Sequence, residues 1–232
     1  MADAKAGPHR ERHFYGRRKG HALSVAQEER LERVLPRTRL DLAPALARLT
    51  DLFRKGTDDV WLEIGFGGGE HLAAQAAAHP GIGFIGAEPF LNGISQLAGA
   101  IESRALDNVR MHDDEVQPLL EWLPEASIGR VFILFPDPWP KRRHWKRRLV
   151  SPTTLRALVR VMRPGAELRI ATDIGNYVRT TLLAVLATPE LTWLAEAPSD
   201  WRIRPADWPP TRYEAKALAA GRSCTYLRFR RS

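Results

Sequence analysis

Five acidic positions and the residues around them carry the chemistry of this sequence, and one of them lies in its densest stretch, VFILFPDPWPKRRHWKRR at 131–148. Val131 to Phe135 has the length and the β-branched and aromatic mix of a strand. Pro136, Pro138 and Pro140 follow at once and forbid both helix and ladder pairing. A buried strand therefore delivers Asp137 and Trp139 to an edge. Beside them stands an eight-residue block, Lys141 to Arg148, in which six residues are Lys or Arg. A carboxylate next to a flat indole and dense positive charge suits a base carried on a polyanion. Taken alone, the block reads more readily as a solvated basic loop after a core strand.

The next acids sit around a glycine turn. Val60-Trp61-Leu62-Glu63-Ile64-Gly65-Phe66-Gly67-Gly68-Gly69 precedes a helical stretch, Glu70 to His79. Strand, turn and helix in that order let glycine backbone approach a ligand closely. The spacing departs from G-x-G-x-x-G, because Glu70 holds the third glycine's place. Glu63 ends an otherwise apolar run, where a carboxylate needs a partner. A second apolar run, Gly83 to Ala87, ends in Glu88, at the distance where an acid holds ribose hydroxyls. A third strand, Asn108 to His112, ends at Asp113-Asp114-Glu115. An acid there suits an adenine's exocyclic amine, though three acids in a row also make a surface turn. These features point to a nucleoside-bearing ligand.

The positioning elements follow from periodicity. Ser24 caps a helix over Val25 to Leu35, stopped by Pro36, and 40–54 shows helical spacing at Leu42, Leu46, Leu49 and Phe53. Ser151 caps a helix that Pro152 opens and Arg163-Pro164-Gly165 breaks after Met162. A fifth strand, Glu167 to Thr172, is followed by Asp173, and a sixth spans Leu191 to Ala195. The proline-rich loop 197–214 holds Trp201, Trp208, Arg212 and Tyr213, and a long aromatic loop in a compact domain is usually functional. A helix over Ala215 to Ala220 and a strand over Thr225 to Arg231 close the chain. Strands alternating with helices predict an α/β fold around a mostly parallel sheet, whose ligands sit at the strands' carboxyl ends. Glu63, Glu88, Asp113 or Asp114, Asp137 and Asp173 all end predicted strands, so they converge on one edge.

Composition bounds the partners. The 232 residues carry 35 Lys and Arg against 27 Asp and Glu, a net charge of +8 with a sequence pI near 10.1, which favours an anionic partner. One cysteine, Cys224, excludes an internal disulfide framework and fits a reducing compartment. No apolar run approaches the roughly eighteen residues a membrane helix needs, and the charged N-terminus lacks a signal peptide's apolar stretch. The expected address is the cytoplasm. Residues 1–22 read as a flexible basic N-terminal arm and 23–232 as a single domain. The seven histidines show no metal-ligand spacing, so no metal is expected.

LEIGFGGG, the acid after the second strand, FPDPWPKRRHWKRR, ATD and TRYE occur in this order over residues from about 60 to the C-terminus. Together they resemble the tRNA (guanine-N7-)-methyltransferase family, and the FPDPW-plus-basic stretch is the specific part of the match. The resemblance implies a class I methyltransferase fold, Rossmann-like, with a seven-stranded, mostly parallel sheet between helices and an antiparallel last strand. It implies S-adenosyl-L-methionine as cofactor and a tRNA guanine, usually position 46 of the variable loop, as substrate.

Residue by residue, the resemblance puts Glu63, Gly65, Gly67, Glu88, Asp114 and Asp137 at the cofactor, with Asp113 an alternative to Asp114. Asp137 is the implied catalytic acid. Lys141, Asp173, Thr211, Arg212, Tyr213 and Glu214 belong to the substrate site, and Arg143, His144, Trp145, Lys146, Arg147 and Arg148 face RNA. Where the family often has a His after FPDPW, this chain has Pro140. Two other readings stand beside it: a nucleotide-dependent dehydrogenase on a similar sheet, and a non-catalytic RNA-binding protein on the methyltransferase fold. Methylation of another base position is a variant of the first reading, and monomer and homodimer both remain open.

Overall fold

The computed structural model describes Gly16 and residues 18–54 and 56–232. Among them, β1 (Asp59–Ile64), β2 (Ile82–Ala87), β3 (Val109–His112), β4 (Ile128–Leu134) and β5 (Met162–Thr172) run parallel. β6 (Leu191–Trp193) and β7 (Thr225–Arg231) complete one sheet in the order β3-β2-β1-β4-β5-β7-β6, with β7 antiparallel to both its neighbours. The chain winds outward from β1 to β3 and then returns to place β4 beside β1. That reversal opens a crevice at the strands' carboxyl ends.

Both faces of the central strands are apolar, as a covered parallel sheet requires. Leu62, Ile64, Val131, Ile133, Leu168 and Ile170 pack on one face. Trp61, Phe84 and Phe132 pack on the other against Leu72 of α2 (Glu70–Ala78) and Leu97 of α3 (Leu91–Ser103). α5 (Pro152–Val161) begins as expected: Ser151 Oγ accepts from the Thr154 amide at 3.2 Å, with Pro152 in the first turn.

Several boundaries differ from the sequence expectation. α1 (Val25–Thr38) runs through Pro36 rather than stopping before it. The helix expected over 40–54 is reduced to a 3-10 turn, Leu49–Leu52. Pro44 supplies no N–H there, and Asp41 bonds the Ala43 amide in a local turn at 2.9 Å. Of the four spaced residues, Leu49 and Phe53 are nevertheless buried and Leu42 and Leu46 half-buried against the core, so the apolar spacing reported burial rather than helix. β5 starts at Met162 and absorbs Arg163-Pro164-Gly165 as a bulge, since Ile128 pairs with Met162 but Arg130 with Glu167. β6 ends at Trp193 instead of Ala195.

Most of the expected arm lies outside the described residues. Within it, the Arg18 carbonyl accepts from the Leu91 amide, and Gly20 and His21 exchange hydrogen bonds with the Asn92 side chain. This lays 18–21 along the start of α3. Among the described residues, no helix is long and apolar enough to cross a membrane.

Candidate active site

The glycine turn leaves β1 with Gly65, Gly67 and Gly69 at φ of 72°, 55° and 75°, the left-handed region that side chains avoid. A Cβ built on Gly65 meets nothing within 4 Å, so the turn frames open space. At Gly93 in α3 the reverse holds: an added Cβ would collide with the Gly67 carbonyl oxygen. The helix therefore closes tightly against the back of the turn.

Glu88, at the end of β2, fastens this turn. Its Oε2 accepts from the Gly67 amide at 2.8 Å and its Oε1 from the Phe90 amide at 3.0 Å. Burial raises the Glu88 carboxyl above the ordinary carboxylate range, and the two amide donors oppose that shift. Glu63 is also buried, and its partner is His71 in the first turn of α2. His71 Nδ1 donates to Glu63 Oε2 at 2.7 Å, leaving Nε2 to face the Gln75 amide at 3.4 Å. Gln75 in turn donates to the Asp207 carbonyl at 3.0 Å, tying the turn to the proline-rich loop. At the end of β3, Asp114 is exposed and paired with Arg18 at 2.8 Å, while Asp113 pairs with Arg39 at 2.9 Å.

Asp137 lies three residues past the end of β4, within a loop that is strained on both sides of it. Phe135 and Trp139 have φ of 49° and 41°, values costly for side-chain-bearing residues. Asp137 has no hydrogen bond or ion pair to any described residue. It is solvent-accessible, yet surrounding protein desolvates it enough to raise its carboxyl above the usual range. Its charge adds to the upward push on the carboxyl of Glu88, at the end of β2, and on the hydroxyl of Tyr177, in α6 (Gly175–Leu186).

The basic block forms a 3-10 turn, Arg142–Arg147. Trp139 packs against it, with the His144 ring edge-on at 5.9 Å and the Arg147 guanidinium 5.1 Å from the indole centre. Lys141, Arg143 and Lys146 are exposed, and His144, Trp145 and Arg147 are half-buried. Arg148 corrects the expectation. It is 4% exposed rather than facing RNA, and its guanidinium donates to Pro138 O, Asn176 O, Asn176 Oδ1 and Thr180 Oγ1. Charge runs look alike in sequence, and here the last residue of the run turns inward.

The remaining expected residues belong to α8 (Arg212–Ala219) and the end of β5. Thr211 caps α8, with its Oγ1 accepting from the Glu214 amide at 3.1 Å. Glu214 is buried, bonded by the Tyr226 hydroxyl and paired with Arg204 at 3.1 Å. Arg212 reaches the turn helices, bonding Glu70 through its amide and Gln96 through Nη1. Tyr213 is 43% exposed and lies over Gly67, 3.2 Å from the position its Cβ would take. Asp173 pairs with Arg222 at 2.6 Å. Trp208, in the proline-rich loop expected to be functional, is buried against Tyr226.

Sequence reasoning missed His71, Asn176 and Gln96. A histidine eight residues after a buried strand-end acid was the one available signal for the first. The other two are polar helix residues whose relevance appears only through folding.

The strand order, the antiparallel β7 and the glycine turn beneath the crevice define a class I methyltransferase. Solved structures agree on the fold: the antibiotic-resistance methyltransferase Kmr is 21% identical with a TM-score of 0.52, covering 76% of this chain and 88% of that one. A structure described as an antibiotic-related methyltransferase has a TM-score of 0.50 at 16% identity, over 90% and 95% of the two chains. The family model "Putative methyltransferase" matches residues 57–227. A tRNA (guanine-N(7)-)-methyltransferase from Chelativorans sp. is 48% identical over 93% of this chain and 94% of its own. Those from Rhodospirillum rubrum and Rhizobium meliloti are each 49% identical, covering 97% and 94% of this chain and 89% and 95% of theirs. The chain belongs to the tRNA (guanine-N(7)-)-methyltransferase family.

Proposed function

We propose that this protein methylates N7 of a guanine in tRNA, at position 46 of the variable loop, using S-adenosyl-L-methionine in the cytoplasm. The observation that carries the reading is Asp137: an unpaired carboxylate on a strained loop, between a glycine turn and a cationic surface. A purely RNA-binding protein gains nothing from an unpaired acid beside its phosphate contacts, because that acid repels them.

The residues present fit the cofactor. The open space framed by Gly65 admits a ligand against bare backbone, and Glu88 stands where ribose hydroxyls would replace or share its amide donors. Asp114 or Asp113 would take the adenine amine. When bound, S-adenosylmethionine supplies an electrophilic methyl group.

Guanine N7 holds its lone pair in the base plane and attacks without first losing a proton, so no strong general base is needed. The protein's work is alignment and exclusion of water. Positive charge would arrive on the imidazole ring as N7 takes the methyl group, with the leaving group departing as a neutral thioether. Asp137 would stabilise it, and preorganised charge of this kind acts strongly in a partly desolvated site. Asp173 and the 211–214 segment would hold the base's other edge, and Tyr213, exposed over the turn, is the aromatic surface for stacking. Lys141, Arg143 and Lys146 would contact phosphate, giving affinity with a steep salt dependence.

The test is transfer of labelled methyl to unmodified tRNA followed by borohydride and aniline cleavage. One cut at a variable-loop guanine is expected. Label without cleavage would move the target to another atom, and no label on any tRNA would overturn the reading.

A further inference from the structure

Arg148 is the one buried side chain in the basic block. Its Nε and Nη2 both donate to the Pro138 carbonyl, at 3.2 and 3.0 Å. From the other side it meets Asn176 O at 3.0 Å, Asn176 Oδ1 at 2.5 Å and Thr180 Oγ1 at 2.7 Å. The guanidinium lies between two rings, 4.7 Å from Trp145 and 4.8 Å from Tyr177. Pro138 has no N–H and follows Asp137 directly, so its carbonyl is the nearest backbone handle on the catalytic acid's C-terminal side. Asn176 and Thr180 sit in the first turns of α6, just after Asp173.

We propose that Arg148 is a positioning residue: it clamps the backbone that presents Asp137 to the start of α6, fixing the distance between the two halves of the base site. The role of Asp137 in methyl transfer rests on the function proposed above; the clamp itself does not. Only a planar fork makes these bonds together. A lysine keeps the charge, but its single nitrogen has three donors where Arg148 makes five hydrogen bonds through three nitrogens. A phosphate contact would behave in the opposite way, because lysine serves it nearly as well.

Two readouts test this on the full-length protein. In Arg148→Met and Arg148→Lys, hydrogen exchange over 139–147 should quicken on the order of tenfold or more, the loss of charge-assisted hydrogen bonds, while β1 to β5 stay protected. Asn176→Leu, which keeps Arg148 but removes one acceptor, should show a smaller effect in the same segment. Unchanged exchange in all three variants would overturn the clamp whatever the enzyme methylates.

The second readout is kinetic. Both Arg148 variants should lose roughly tenfold or more in kcat, with KM for tRNA and its salt dependence unchanged. A raised KM with a shallower salt slope, restored by lysine, would make Arg148 an RNA contact and sink the proposal. A lowered melting point with normal kcat would reduce it to a structural residue and sink the proposal equally. If wild-type protein methylates no tRNA, the proposed function falls, while the exchange experiment still decides the clamp.

Discussion

The two halves of the crevice treat their acids differently. On the β1–β3 side every strand-end carboxylate is already engaged: Glu63 by His71, Glu88 by the Gly67 and Phe90 amides, Asp113 and Asp114 by arginines. On the β4 side Asp137 has no such partner and sits between two residues at positive φ. The first half is a cradle whose acids shape backbone before any ligand arrives. The second leaves a charge unsatisfied by any described residue, which under the proposed function is kept for the substrate. Substitutions on the two sides should therefore register in different measurements: stability and cofactor affinity on one, rate on the other.

The largest effect belongs to Asp137. Asp137→Asn keeps the shape and removes the charge, and should lower kcat about 10²–10³-fold, the size of losing one preorganised electrostatic group. No hydrogen bond is lost, so the melting point should not fall. A destabilised variant would mean that Asp137 has a structural partner, and the contrast would fail. Glu88→Gln probes the other side. Glutamine has one acceptor oxygen for two amide donors, leaving one N–H facing an NH₂ group. Unfolding without cofactor should show a loss of about 1–3 kcal/mol. An unchanged unfolding midpoint would show that the turn holds itself.

The cradle was far more legible in sequence than the loop side. Alternating strands and helices, the glycine turn and acids at successive strand ends were all readable, because periodicity and residue type determine them locally. The place of Asp137 just past β4 was readable for the same reason, its prolines marking where a strand must end. Arg148 was not separable from its neighbours, since six cations in eight residues look alike until α6 supplies Asn176 and Thr180. The 40–54 segment failed for a related cause. Its apolar spacing was real, but Pro44 and the Asp41 turn gave the backbone another way to bury the same side chains.

Acid pH should separate the two halves through one shared property. Desolvation raises both Asp137 and Glu88 above the ordinary carboxylate range of about 4. A carboxyl raised in the folded state binds its proton more readily there than when unfolded. Each therefore weakens the fold at neutral pH, and that penalty is relieved as pH falls through its raised pKa. The rate should do the opposite, falling as Asp137 loses its charge in the window just above the usual carboxylate range. A pH profile of kcat should show this acid limb in the wild type and lose it in Asp137→Asn. If the limb persists in that variant, another group controls the rate.

The smallest effect expected is on the exposed cations, and it sharpens the contrast within the basic block itself. Lys146 is exposed on the Arg142–Arg147 turn, with no hydrogen bond or ion pair to a described residue. Lys146→Ala should raise KM for tRNA several-fold, flatten the slope of log KM against log salt by about one, and leave kcat and melting point unchanged. Arg148, two residues on, carries the same formal charge but is bonded at every side, so its variants should leave that slope alone. Parallel salt titrations of both positions thus divide one cationic run into charge that meets phosphate and charge that holds the loop. Identical slopes for the two variants would mean that burial does not separate them in solution.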